Sequence, residues 1–294
     1  MKKVVSTALM VVIALFAVVA AALPTALHKA GLHPNYTGVP AVLSPGKRAL
    51  VITTSHGVLS KPGEAEGPPS GVAASEMTHP YYSFLDAGMD VDVASIKGGV
   101  IPVDPQTLSF MIKTPEDDRY LADTVLQAKT RNSLRIADVD ITQYDIVFLA
   151  GGWGAAYDLA QSPALGEKIS EAFYSERQPV IGGVCHGVLG LVNARGKDGE
   201  LLISGRRMTG VTDKQIKELG IEVTPMHPET ELRKAGVLFE SQTAFRDLFA
   251  THVSVDDDRR FVTGQNQNSG LETAHEMMKI IAGRDNATAP RDVN

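Results

Sequence analysis

The sequence is short of the features that usually assign a chain quickly. It has one cysteine, Cys185, in 294 residues, so no internal disulfide can form. Positive charge is not in excess. Twenty-eight Lys and Arg face 34 Asp and Glu, a net charge of −6, which excludes the basic face that nucleic-acid phosphates demand. There is no block of like charges, no low-complexity tract and no repeat at a solenoid period, which argues against a disordered tail or a repeat array. Histidines 28, 33, 79, 227, 252 and 275 show no close ligand spacing, so no metal site is expected. Proline and glycine crowd only one stretch, SKPGEAEGPPSG at 60–71, which reads as an exposed loop.

What is present suits an ordinary globular core, with 44% hydrophobic and 21% charged residues. The chain opens differently. Lys2 and Lys3 precede an uncharged run from Val4 to Leu23, long enough as a helix to cross a bilayer. The basic start places the N-terminus in the cytoplasm and the rest of the chain outside it. The run exceeds the central region of an ordinary signal peptide, which favours an uncleaved anchor. Ala20 and Ala22 form an A-x-A site, which keeps secretion after cleavage as the alternative. The expected organisation is an anchor or signal segment over 1–23, a tether over 24–47, one catalytic domain over 48–284 and a short tail over 285–294.

Within that domain the elements alternate. RALVITTS at 48–55 reads as a strand, 76–87 as a helix stopped by Gly88, and DVDVASI at 90–96 as the next strand. DIVFLA at 145–150, a helix over 164–177, PVIGGV at 179–184 and a short buried helix over 186–194 continue the alternation. Strands near 252–256 and 260–263 and a helix over 271–281 follow. This predicts an α/β fold, a doubly wound, mostly parallel open sheet with helices on both faces. Ligands in such sheets bind at the carboxyl ends of strands, here after Ser55, Ala150 and Val184.

The third of these ends carries the chemistry. PVIGGVCHGVLGLV delivers Cys185 from a strand into a turn, as G-x-C-x-G at Gly183, Cys185 and Gly187. Small neighbours suit a strained nucleophile, and the start of a helix favours thiolate. AGGWG at 150–154 ends the neighbouring strand. The backbone N–H groups of Gly151 and Gly152 there are candidates for an oxyanion hole. Asp158 reads as a cap of the next helix.

Six segments in order then converge on a family: SEMTHPYYSFLDAGMDVDVAS (75–95), PVDPQTLS (102–109), YDIVFLAGGWGAAYDL (144–159), GGVCHG (182–187), MTGVTD (208–213) and VTGQNQNSG (262–270). The chain resembles the ThiJ/PfpI superfamily, of class I glutamine amidotransferase-like, flavodoxin-like fold, and within it the HchA-like branch of glyoxalase-III, deglycase and chaperone proteins. The resemblance covers about residues 48–283. It implies Cys185 as nucleophile, His186 as its general base or acid, and Glu76 as a protonated glutamate beside the thiolate. It implies no cofactor, a small carbonyl substrate such as methylglyoxal, and a homodimer as an assembly found among relatives. Two positions depart from the pattern. Relatives commonly have histidine where this chain has Trp153. The carboxylate that orients the histidine falls in the register of Ile216, which leaves Asp213, and after it Glu218, as the candidate third acid.

The function expected is a cofactor-independent conversion of reactive aldehydes. Three alternatives use the same thiol: glutamine amide hydrolysis, peptidase-type hydrolysis, and a non-enzymatic holding chaperone or redox sensor. The motif His227-Pro228-Glu229 imitates an amidotransferase triad end, but it arrives only 42 residues after Cys185 and reads as a helix start.

Overall fold

The computed structural model describes residues 2–288. The first element is a helix, α1 (Lys2–Lys29), which carries the expected apolar run through Pro24 to its end. Its Met10–Lys29 stretch has mean hydropathy 2.5 and none of it is buried. Among the described residues it is the one helix long and apolar enough to cross a membrane. Within the expected tether, Leu32 is buried, the His33 N–H donates to Asn268 Oδ1 at 2.8 Å, and Tyr36 stacks on His275 with ring centroids 3.6 Å apart. This segment therefore lies on the domain.

The domain runs β1 (Arg48–Thr53), α2 (Ala74–Asp86), β2 (Asp90–Ser95), α3 (Pro115–Ala122), α4 (Thr124–Arg131) and β3 (Leu134–Arg135). It continues with β4 (Ile146–Leu149), α5 (Ala155–Asp158), α6 (Pro163–Tyr174), β5 (Val180–Val184), β6 (Arg207–Met208), α7 (Asp213–Leu219), α8 (Pro228–Lys234) and β7 (Leu238–Phe239). The last elements are β8 (Val253–Val255), β9 (Phe261–Gly264) and α9 (Gly270–Thr288). Seven strands form one sheet in the order β3-β2-β1-β4-β5-β9-β8, parallel except for β8 against β9. A two-stranded pair, β6 with β7, stands apart.

The pleat explains why the strands read as unbroken apolar runs. Ala49 and Val51 of β1 face one core with Val91, Phe148, Val180 and α9, while Leu50 and Ile52 face the other with Val147, Leu149, Ile181 and α6. A parallel sheet covered on both faces needs apolar residues at every position. The fold is the doubly wound sheet expected.

Two local readings change. The stretch after Val184 is a 3-10 turn, Cys185–Leu191, rather than a helix over 186–194. Asp158 does not cap the next helix, because Ser162 does so, accepting from Leu165 N–H. Its carboxylate accepts from Thr54 Oγ1 at 2.8 Å and from Ser55 N–H at 2.7 Å, fixing the loop after β1. A partly buried carboxylate takes the donors nearest in space, and the parallel register puts Ile52 beside Leu149.

Candidate active site

β5 sits inside the sheet, between β4 and β9 and parallel to both, so its carboxyl end is flanked by two other strand ends. Cys185 follows it at φ +56°, a left-handed conformation that is uncommon and strained for a side-chain-bearing residue. The glycines of the motif are steric necessities, since a Cβ on either Gly183 or Gly187 would collide with the Leu149 carbonyl oxygen. Cys185 and the six residues after it are all buried.

Glu76 reaches the same point from the first turn of α2 and is 2% exposed. Pro80, four residues on, has no N–H to offer the Glu76 carbonyl. Burial pushes the Glu76 carboxyl up from 4.5 to about 8, against hydrogen bonds from Cys185 and the Gly151 N–H that favour its charge. Gly151 admits this approach, because a Cβ there would meet Glu76 Oε2 and lie 2.8 Å from the N–H nitrogens of His186 and Gly187.

The Cys185 thiol is likewise pushed up, first by burial and then by the Glu76 carboxylate, while the N–H groups of His186 and Gly152 pull the other way. The low thiol pKa expected from a helix start is therefore absent at rest. The following turn is 3-10 and short, and desolvation outweighs its N–H groups. Because burial raises both groups and the Glu76 carboxylate raises the thiol further, the doubly ionised pair is disfavoured and the two share at least one proton. Gly151 and Gly152 thus face the carboxylate and the sulfur respectively.

His186 Nδ1 stands 3.5 Å from Cys185 Sγ. Burial, and secondarily His227, holds this imidazole down to about 3, so it is neutral. Its Nε2 is buried with no hydrogen-bond partner. Trp153 meets its ring edge to face, centroids 5.3 Å apart.

Among the described residues, no carboxylate orients His186 by a hydrogen bond. Asp213 accepts from the Thr230 hydroxyl at 2.8 Å, its N–H donates to Glu229, and it lies exposed at the start of α7. The α7 N-cap geometry turns it toward α8. Ile216 is buried in the core, and Glu218 accepts from the Asp247 N–H. The structure therefore joins Cys185, His186 and Glu76, with Gly151 and Gly152, and leaves Asp213 outside the hydrogen-bonded group.

A cavity of about 230 Å³ opens on this group, lined by Glu76, Gly152 and Trp153 and, beyond them, by Leu32, His33 and Gln267. Leu32 and His33 are far from the motifs in sequence, and no local signal marks them. Gln267 stood within VTGQNQNSG, whose Asn266 amide donates to Gln215, Asp247 and Ala250 oxygens and so ties three segments together. Among the described residues no group of metal-ligating side chains forms a site.

The profile of the DJ-1/PfpI family matches residues 69–279. Glyoxalase 3 of Candida albicans is 27% identical over 226 residues, covering 73% of this chain and 91% of that protein. The glutathione-independent glyoxalase HSP31 of Saccharomyces cerevisiae is 27% identical over 245 residues, covering 79% and 96%. The crystal structure of Rapid Encystment Protein 24 kDa from Francisella tularensis superposes with a TM-score of 0.72 at 31% identity, covering 80% of this chain and 99% of that one.

Proposed function

The chain belongs to the DJ-1/PfpI family, and from that premise we propose that it is a cofactor-independent glyoxalase that converts α-oxoaldehydes to 2-hydroxy acids through a Cys185 thioester. The observation that carries the reading is the buried triangle of Cys185, His186 and Glu76 at the end of β5, with His186 Nδ1 at 3.5 Å from the sulfur. Curated relatives that cover about three quarters of the chain are named glyoxalases.

The shared proton suits the chemistry. Cys185 sulfur adds to the aldehyde carbon of R–CO–CHO, and the new alkoxide takes a proton to give a hemithioacetal. A neutral imidazole accepts the proton from that carbon, and an enediol forms. Reprotonation on the neighbouring carbon, with Glu76 placed to hold or return a proton, yields the thioester of the 2-hydroxy acid. Water cleaves the thioester and regenerates the thiol. The aldehyde carbon is oxidised as the ketone carbon is reduced, so the reaction balances with one water and no external electron acceptor.

The redox-sensor reading fits less well, since sensor thiols are exposed and acidic whereas Cys185 is buried and its pKa is raised. The amidotransferase reading loses its third member, because His227-Pro228 opens α8.

The proposal extends to placement. The unburied apolar side chains of α1 support a membrane anchor with the domain outside the cytoplasm, and carbonate extraction of cells expressing the full chain tests it. A homodimer is the assembly proposed, to be read by light scattering in detergent. The activity itself is tested by methylglyoxal loss and lactate release without added glutathione or metal. Absence of turnover alongside a thiol that reacts with iodoacetamide would refute the assignment.

A further inference from the structure

The cavity at Glu76 and Gly152, beside Cys185, is not closed by the catalytic domain alone. Leu32 and His33, just beyond the last residue of α1, form part of its wall. Their segment is pinned by polar and aromatic contacts at three points. Asn268 accepts the His33 N–H at 2.8 Å and donates to the Gly31 carbonyl at 2.9 Å, and Tyr36 stacks on His275 at an interplanar angle of 3°. Leu32 is 6% exposed, although it stands at the margin of the domain.

The character of the wall follows from what each side chain has left to offer. Leu32, Ile112, Trp153, Leu219 and Leu248 supply apolar surface. Several polar wall groups are already engaged. Asp104 accepts from Ser70 Oγ and the Gln106 N–H, and Thr107 Oγ1 bonds the Asp104 carbonyl and the Ala74 N–H. The buried polar atoms of the wall without partners are Glu76 Oε2, Gln267 Nε2 and His33 Nδ1. The first belongs to an acid that receives or gives a proton, the second is an amide donor fit for a carbonyl oxygen, and the third is a ring nitrogen able to donate or accept. The cavity thus offers polar groups at Glu76, Gln267 and His33, and a wall that is otherwise apolar. A volume near 230 Å³ exceeds the roughly 150 Å³ that holds benzene in an aliphatic cavity.

We infer that this pocket selects α-oxoaldehydes bearing a sizeable apolar group, alkyl or aryl, and that Leu32 from the segment after α1 is a specificity-determining residue for them. The inference rests on the glyoxalase reading for its reaction, but the pocket's preference is measurable without turnover. The dicarbonyl end lies at Glu76 and Cys185, and the apolar group lies against Leu32, Leu219 and Leu248.

Two measurements on the full chain in detergent test it. The first compares kcat/KM for phenylglyoxal and hexylglyoxal with that for methylglyoxal. Each methylene taken out of water is worth roughly fourfold, so a preference of at least about tenfold is expected. The second compares alkylation of Cys185 by N-hexyl iodoacetamide and by iodoacetamide, read by mass on a chain with no other cysteine. The hexyl reagent is expected to react at least about tenfold faster after correction for their rates with free cysteine. Leu32→Asp and Leu32→Trp are expected to bring both ratios toward one. Val42→Asp, at an exposed position in the same segment, is expected to leave them unchanged. Equal ratios in the wild type, or ratios untouched by both Leu32 variants, would overturn the inference. Loss of all aldehyde turnover with a persistent, Leu32-dependent alkylation ratio would support the apolar pocket while removing the glyoxalase reading.

Discussion

The Trp153 indole meets the His186 imidazole edge to face, with centroids 5.3 Å apart and planes at 88°. This indole stands where the family resemblance implies a histidine, so the neighbour of the imidazole is aromatic. Burial, and secondarily His227, leaves His186 neutral, and its Nε2 has no hydrogen-bond partner. In the proposed reaction such a histidine can accept a proton from carbon without first losing one to solvent.

Cys185→Ala is expected to abolish methylglyoxal conversion, by at least about 10³-fold, because the covalent route has no substitute. Folding should survive, since the change removes one buried sulfur. Lactate release and thermal unfolding, measured on the same preparation, separate the two effects.

Glu76→Gln is expected to lower turnover by about 10² to 10⁴-fold while making the thiol more acidic, because the Glu76 carboxylate raises the Cys185 pKa. The pH profile of iodoacetamide alkylation reads this directly and should move to lower pH. A stability effect accompanies it. The Glu76 pKa is raised from 4.5 to about 8 in the folded chain, so its contribution is full below 4.5 and is lost as pH rises through 8. The melting temperature of Glu76→Gln relative to wild type should therefore increase between pH 5 and pH 8. A difference independent of pH would contradict the buried, protonated carboxyl.

His79 and His186 are both buried and held down to about 3, chiefly by desolvation. The unfolded chain takes up these protons near 6.5 and the folded chain does not. Stability is full above 6.5 and declines as pH falls toward 3, by up to about 1.4 kcal/mol per pH unit for each imidazole. His79→Gln should flatten the fall in melting temperature between pH 6.5 and 4.5. The same neutrality means that kcat/KM should show no inflection near 6.5 attributable to His186, whereas His186→Ala should cost about 10² to 10⁴-fold.

Trp153 is the one tryptophan in the chain and lines the cavity, so tryptophan emission reports on this site alone. Alkylating Cys185 should change that emission, and Cys185→Ala should not respond. Trp153→Ala is expected to cost at least about 1 kcal/mol of stability through the lost aromatic contact, visible in urea unfolding. An unchanged midpoint would remove the packing role assigned to the indole.

Much of the molecule was legible in the chain before any tertiary contact was known. Apolar runs such as RALVIT and VIGGV are what a sheet covered on both faces requires, and Gly183 and Gly187 frame Cys185 because only a hydrogen fits beside the Leu149 carbonyl. These are local or nearest-neighbour constraints, and local sequence expresses them. What burial and distant partners decide was not legible there. Asp158 looked like a cap until β1 placed Thr54 and Ser55 beside it. The raised pKa values of Glu76 and Cys185 come from desolvation by residues scattered along the whole domain. Leu32 reaches the active-site cavity because Asn268, 235 residues from His33, holds its segment in place. Sequence order determined the sheet and the position of Cys185, because strand pattern and turn sterics act over a few residues. The charge state of the site and the far wall of its pocket were set only when the folded chain excluded water from them.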